Sequence, residues 1–193
     1  LLQTLTKLRQ LVNHPVLVYE DYTKESGKFQ DICAKWEEVK KSGHKVLFFS
    51  SFVKHLSIFK DYFEQTSTPY AWLTGSLTSE ERQKQITLFE NNPTVQAFFI
   101  SIKAGGTGLN LTAADYVFIL DPWWNPSTEQ QAIARAHRIG QEKSVMALKF
   151  ITRESIEEKI LHLQEKKSLL AEDILSGTST HQLNRNELNF LLS

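Results

Sequence analysis

Two arginines and a glutamine recur at helical spacing in the run Gln131-Ala-Ile-Ala-Arg135-Ala-His-Arg138-Ile-Gly140-Gln141. At 100° per residue, Gln131, Arg135 and Arg138 share one helix face, so an amide and two guanidinium groups project together. On an ordinary surface such a pair repels by roughly a few tenths of a kcal/mol. Only Glu129 and Glu142 lie near enough in sequence to offset that, so a shared anionic target such as a phosphoryl group explains the pair. The plain alternative is a solvated helix face. His137 points away from that face and reads as a packing or hydrogen-bonding residue.

A second cluster precedes it, Ser101-Ile-Lys103-Ala-Gly105-Gly106-Thr-Gly108-Leu-Asn110-Leu-Thr112, directly after the apolar run QAFFIS. In open α/β sheets, ligands bind at the carboxyl ends of strands. Three glycines there let successive N–H groups face phosphate oxygens with no side chain in the way. A tight crossover loop would use the same residues. The dinucleotide fingerprint fits poorly, because Leu111 stands where its third glycine belongs. Between the clusters lies Asp121-Pro122-Trp123-Trp124-Asn125-Pro126. Adjacent tryptophans at a strand's end diverge, so one of the two is expected to be exposed or at an interface, where an indole beside Asn125 can stack on a base or wedge into a groove. A core anchor for the following helix is the alternative.

These residues need elements to position them. Short, continuous apolar runs predict strands buried on both faces at KVLFF (45–49), YAWL (70–73), QAFFIS (96–101) and YVFIL (116–120), with a fifth at SVMALKFI (144–151). Helices are expected between them: 28–41, with Phe29, Ile32, Trp36 and Val39 inward; 53–63; one capped by Thr78 with Glu81 and running to Phe89; and one from Pro126 to Ile139. An opening helix over 1–12 presents Leu1, Leu5, Leu8 and Val12. A long helix from Glu154 to Leu175 is followed by a polar linker from Gly177 and a short helix near 187–192. Strands alternating with helices imply a parallel sheet with right-handed crossovers.

Composition narrows the class. The 193 residues carry 22 basic and 22 acidic side chains and 41% hydrophobic residues, one globular domain with an appendage. Zero formal charge leaves nucleic-acid binding to a local surface. One cysteine, Cys33, forms no internal disulfide, and no Cys/His cluster suggests zinc. No apolar run is long enough to span a membrane, and a reducing interior compartment is the default. A start on Leu suggests a piece of a longer chain.

The pieces together resemble the carboxy-terminal RecA-like lobe of the SWI/SNF-type (sucrose-nonfermenting) DNA-translocating ATPases of helicase superfamily 2. LRQLVNHP (8–15), SGK (26–28), VLFFSSF (46–52), LTGSLTSEER (73–82), SIKAGGTGLNLTAAD (101–115), DPWWNP (121–126) and QAIARAHRIGQ (131–141) carry the resemblance, in the family's order. It implies a three-layer α/β RecA-like (P-loop NTPase-type) parallel sheet with flanking helices, plus a carboxy-terminal brace helix. The division would be an incoming connection over 1–25, the lobe over 26–152, and the brace and tail over 153–193.

The resemblance makes Arg135 and Arg138 the paired arginines that reach the γ-phosphate across a cleft, supported by Gln131, Gly106, Gly108, Asn110 and Gln141. It assigns DNA contacts to Ser50, Ser51, Thr74, Gly75, Ser101, Lys103, Gly105 and Trp124; Trp124 matches the Trp of the family's WNP signature and would face the groove, which leaves Trp123 to pack in the core. ATP and Mg2+ would act in the full-length protein, none being bound by this piece alone. Partners would be double-stranded DNA, the amino-terminal RecA-like lobe and DNA-bound proteins, with no membrane. The place would be the cytoplasm or nucleoid of a bacterium, or a eukaryotic nucleus. Two positions depart from the pattern: Ala134, where many relatives carry Asp, and Ser51, where many carry Gln.

No G-x-x-x-x-G-K-[ST] loop and no Asp-Glu-x-His or Asp-Glu-x-Asp box occurs, so the chain supplies arginines without a phosphate cradle or magnesium holder. It reads as half a motor, inactive alone. Two other readings stay open: a self-contained nucleotide-binding enzyme, and a non-catalytic module gripping nucleic acid or protein.

Overall fold

The computed structural model describes residues 2–104, 109–136, 144–173 and 190, with side chains of the last helix described to Lys166. Five strands form one sheet: β1 (Val46–Ser50), β2 (Tyr70–Leu73), β3 (Ala97–Ser101), β4 (Tyr116–Ile119) and β5 (Met146–Lys149). Their order is β2-β3-β1-β4-β5 and every pairing is parallel. The apolar runs lie where the sequence places them, and β1 and β3 are buried throughout.

Alternation along each strand divides the core into two faces. Val46, Phe48, Phe99 and Phe118 pack with Ile32, Trp36 and Val39 of α2 (Gly27–Lys41) and with Leu56, Phe59 and Phe63 of α3 (Val53–Gln65). Leu47, Phe49, Phe98, Ile100 and Ile119 pack with Phe89 of α4 (Ser79–Asn91) and Ala132 of α5 (Pro126–Ile133). The result is the α/β sandwich expected from the sequence, a five-stranded parallel sheet flanked by helices. Thr78 and Glu81 close a capping box that fixes where α4 begins. Cys33 sits half-buried among the α2–α3 aromatics. Burial, then Glu37, pushes its thiol up to about 12, so it packs rather than reacts.

Three elements differ from expectation. In α1 (Leu2–Asn13) the inward residues are Leu5, Arg9 and Asn13, while Leu8 is 37% exposed. Leu5 and Val12 pack inward as the spacing predicts, but Arg9 and Asn13 take the place expected of Leu8, because the helix lies against a buried carboxylate and needs polar groups there. Helix α5 ends at Ile133, not Ile139. Ala134–Ala136 turn with i to i+3 bonds, Arg135 N to Ala132 O at 3.2 Å and Ala136 N to Ile133 O at 3.1 Å. Ala136 is drawn fully into the core there. Helix α6 (Ile156–Asp173) starts two residues late, and of the last expected helix only Phe190 is described. Helices α1 and α6 share a third apolar cluster, Leu5 with Ile156, Ile160 and Leu163.

Candidate nucleotide and nucleic-acid site

The carboxyl ends of β1, β3 and β4 bring together three segments: Ser50–Phe52, the start of the glycine-rich run, and Leu120–Pro126. Ser50 joins the first two, since its carbonyl accepts from Ile102 N at 3.0 Å. At the centre lies Asp121, fully buried. The hydroxyls of Ser50 and Ser51 both donate to its carboxylate, and Ser51 N donates to Oδ2 at 3.1 Å. Arg9 Nη2 donates to Asp121 Oδ1 at 3.0 Å, to Ser51 Oγ at 3.0 Å and to the Pro122 carbonyl at 2.9 Å.

Burial works to raise the Asp121 pKa. The His55 imidazole 3.9 Å away, the Arg9 charge and the Ser50 hydroxyl outweigh it and hold the group at about 2. Burial lowers the pKa of His55, against the pull of Asp121. Burial likewise lowers that of Arg9, which Asp121 opposes. Ser50 and Ser51 therefore serve a buried carboxylate, and Ser50, with no exposed surface, does not offer its hydroxyl to DNA.

The same guanidinium lies over three rings, its carbon 4.9 Å from the centroid of Phe52, 5.1 Å from Trp124 and 5.5 Å from Trp123. Trp123 packs on the α4–α5 face of the core, the side expected for it. Trp124 does not stand free in a groove. It is half-buried against the α1–α6 cluster.

Lys28 of the SGK triplet is also internal. Its Nζ meets the Glu157 carboxylate at 2.6 and 2.9 Å and Asn13 Oδ1 at 2.8 Å. Burial lowers the Lys28 pKa and raises that of Glu157, and each charge resists the other's shift. This lysine is occupied by a carboxylate on α6, so it is not a phosphate ligand.

Lys103 and Asn110 are exposed at the two ends of the glycine run, while Gly105, Gly106 and Gly108 lie outside the described residues. Arg82 Nη2 holds the Ala104 carbonyl at 2.8 Å on one side. On the other, Leu111 N donates to the Arg135 carbonyl at 3.1 Å, tying the glycine segment to the arginine turn. Arg135 is buried and Gln131 exposed, so these two do not present the common exposed face expected of them. Arg138 and Gln141 lie outside the described residues. Glu129 does not offset the arginines: it is buried, accepts from Trp123 N at 2.7 Å and Gln164 Nε2 at 2.6 Å, and pairs with Lys149. Of the remaining candidates, Ser101 and Thr74 are buried, the Thr74 hydroxyl 2.9 Å from that of Ser76. Gly75 is exposed, with nothing within 4 Å of where a Cβ would stand.

Sequence reasoning missed Arg9, Asn13 and Glu157. Arg9 and Asn13 stand four apart on an otherwise apolar helix face, and that spacing was the available signal. Among the described residues no cluster of His, Cys, Asp and Glu could hold a metal ion, and no helix is long and apolar enough to cross a membrane.

Residues 27–140 match the family described as helicase conserved C-terminal domain. The chain is 37% identical over 201 aligned positions to the human lymphoid-specific helicase, covering 94% of this chain and 24% of that protein. It is 45% identical over 126 positions to the DNA repair protein rad8 of Schizosaccharomyces pombe, covering 65% of this chain and 11% of that protein. It thus spans a quarter or less of either relative. The structure also resembles that of the Sulfolobus solfataricus SWI2/SNF2 ATPase core in complex with dsDNA. The TM-score is 0.78 at 34% identity, over 100% of this chain and 39% of that one. With the C-terminal domain of that ATPase alone, the TM-score is 0.75 at 33% identity, over 98% and 79%.

Proposed function

The chain belongs to the helicase conserved C-terminal domain family, in its SWI2/SNF2 ATPase branch, and from that premise we propose that it is the second half of a DNA-dependent ATP-hydrolysing motor. The whole protein would move along duplex DNA, in chromatin or other nucleoprotein, with the P-loop and magnesium ligands on an amino-terminal lobe. Arg135 and Arg138 would face the transferring γ-phosphate, and Gln131, Gly106, Gly108, Asn110 and Gln141 would shape their side of the cleft. Guanidinium groups suit this task because they present a planar fork and keep their charge. Asp121 does not compete for magnesium, since Arg9, Ser50 and Ser51 already hold it.

DNA would run over the carboxyl edge of the sheet. Lys103 and Gly75 would meet its phosphates from the exposed surface, Gly105 would add a backbone contact, and Thr74 and Ser101 would shape the backbone underneath. The observation that carries the reading is the bond from Leu111 N to the Arg135 carbonyl. It makes the glycine segment and the arginine turn one unit, so a shift of one on DNA moves the other toward or away from the phosphate. The nearest test is Arg138→Ala in the full-length protein. The expected result is a fall in kcat of about 10³ to 10⁵ with nucleotide affinity preserved. Near-normal kcat would remove the arginine from the chemistry.

A further inference from the structure

Arg9 lies outside the stretch that matches the family model, which begins at residue 27. Yet its guanidinium is where the two neighbouring strand ends meet. It donates to Ser51 after β1 and to Asp121 and Pro122 after β4, and its central carbon lies 4.9, 5.5 and 5.1 Å from the ring centroids of Phe52, Trp123 and Trp124. Ser50, which shares Asp121 with it, carries the backbone bond to Ile102 at the head of the glycine-rich segment. Downstream of Pro122, Asn125 caps α5, and α5 leads directly into the Arg135 turn. Thus the segments that leave the sheet after β1 and β4 bond a single buried cation delivered by α1, and the segment after β3 is joined to it through Asp121 and Ser50.

We infer that Arg9 is a positioning residue for the coupling of DNA contact to hydrolysis: it holds the strand ends after β1 and β4, with the Trp124 ring, in fixed relation to α1. The inference rests on the motor reading above. A point charge cannot replace it. Its three acceptors are all reached from Nη2, and what an ammonium does not reproduce is the flat, delocalised cation set among three rings at the same time. A rigid link of this kind transmits displacement only while both strand ends share it.

The test uses the full-length protein and reads ATP turnover with and without duplex DNA. Arg9→Lys keeps a charge beside Asp121. It is expected to raise the DNA concentration for half-maximal stimulation about tenfold, the effect of losing one desolvated cation–π arrangement. The KM for ATP should stay where it was. Leu5→Ala serves as the control, because it loosens the packing of α1 on α6 without touching the guanidinium. It should lower Tm at least as much as Arg9→Lys while keeping DNA stimulation. Arg9→Met with Asp121→Asn removes both charges together, so no lone buried ion threatens folding, and it should show the same loss of stimulation. If stimulation tracks Tm across all three variants, Arg9 only stabilises the fold and the inference fails. If the unsubstituted protein shows no DNA stimulation at all, the motor reading fails first and takes the inference with it.

Discussion

Arg9 and Asp121 are 112 positions apart in sequence and meet at 3.0 Å with both side chains buried. Buried ion pairs contribute little net stability over apolar substitutes, but breaking one is costly because a lone charge remains inside. The pair is also surrounded: two serine hydroxyls complete the carboxylate and three rings cover the cation. Such a cluster specifies one arrangement of α1 against the sheet.

Arg9→Met alone should therefore destabilise by about 3–5 kcal/mol, and Arg9→Met with Asp121→Asn by much less. Urea unfolding of the single and double variants checks this. Equal losses would mean that Asp121 gains its stability from the serines rather than from Arg9.

A chain beginning at residue 27 keeps the stretch matched by the family model and loses Leu5, Arg9 and Asn13. Its Tm should fall by roughly 10 °C or more relative to the full 193 residues, given the cost of the orphaned carboxylate and about 2–4 °C per kcal/mol for a domain of this size. Differential scanning calorimetry on both lengths decides it, and an unchanged Tm would make α1 an ornament.

Acid should weaken the fold in two windows. Burial depresses the pKa of His55 below its ordinary 6.5, so as pH falls through 6.5 the unfolded chain binds a proton that the folded chain refuses, and stability drops. Asp121, at about 2 when folded against 3.8 ordinarily, adds stability that is fully present above pH 3.8 and is lost as pH falls through 2. Urea midpoints measured from pH 7 to pH 5 should decline, and His55→Gln should flatten that decline. A flat profile in the unsubstituted chain would contradict a buried neutral imidazole.

Lys103 is exposed and Lys28 is ion-paired to Glu157, so the two lysines should behave oppositely. Lys103→Ala in the full-length protein should lower the salt slope of DNA binding by about 1 with little change in Tm. Lys28→Met should lower stability by about 3–5 kcal/mol, with the salt slope unaltered at temperatures where it stays folded. Filter binding over a salt series separates them, and an unchanged slope in Lys103→Ala would take that lysine off the DNA.

Both tryptophans should matter for folding. Trp123 packs on the sheet and Trp124 on α1 and α6. Each Trp→Ala change is expected to cost about 2–4 kcal/mol, somewhat under the range for fully buried aromatics. If Trp124→Ala left the unfolding midpoint in place, its ring would be free for the groove after all.

The layers were legible because continuous apolar runs such as VLFF allow only a strand covered on both faces, and because Thr78 with Glu81 and Pro126 mark helix starts chemically. The site was legible in its motifs and not in its wiring. Periodicity assigned Leu8 inward, since hydrophobic spacing takes no account of a carboxylate 112 positions away that requires Arg9. It also extended α5 to Ile139. A hydrogen bond from Leu111 to the Arg135 carbonyl accompanies the turn that ends the helix, and no local pattern reports such a bond. Glu129 is close to the arginines in sequence, but its carboxylate is taken by Trp123 N, Gln164 and Lys149.

The cluster that joins Leu5 to Ile160 and Leu163 also sets an order of events during synthesis. Helix α1 leaves the ribosome first among the described elements, while α6, its apolar partner, leaves last. At about 5–20 residues per second, the intervening stretch takes roughly 10–30 s to appear. Over that interval the sheet can assemble around β1, β3 and β4, but Leu5 has no cover. A nascent chain arrested near residue 150 should therefore expose α1 to protease and to chaperones while its sheet is already protected. Completion of α6 would then close α1 against the lobe in a single late step.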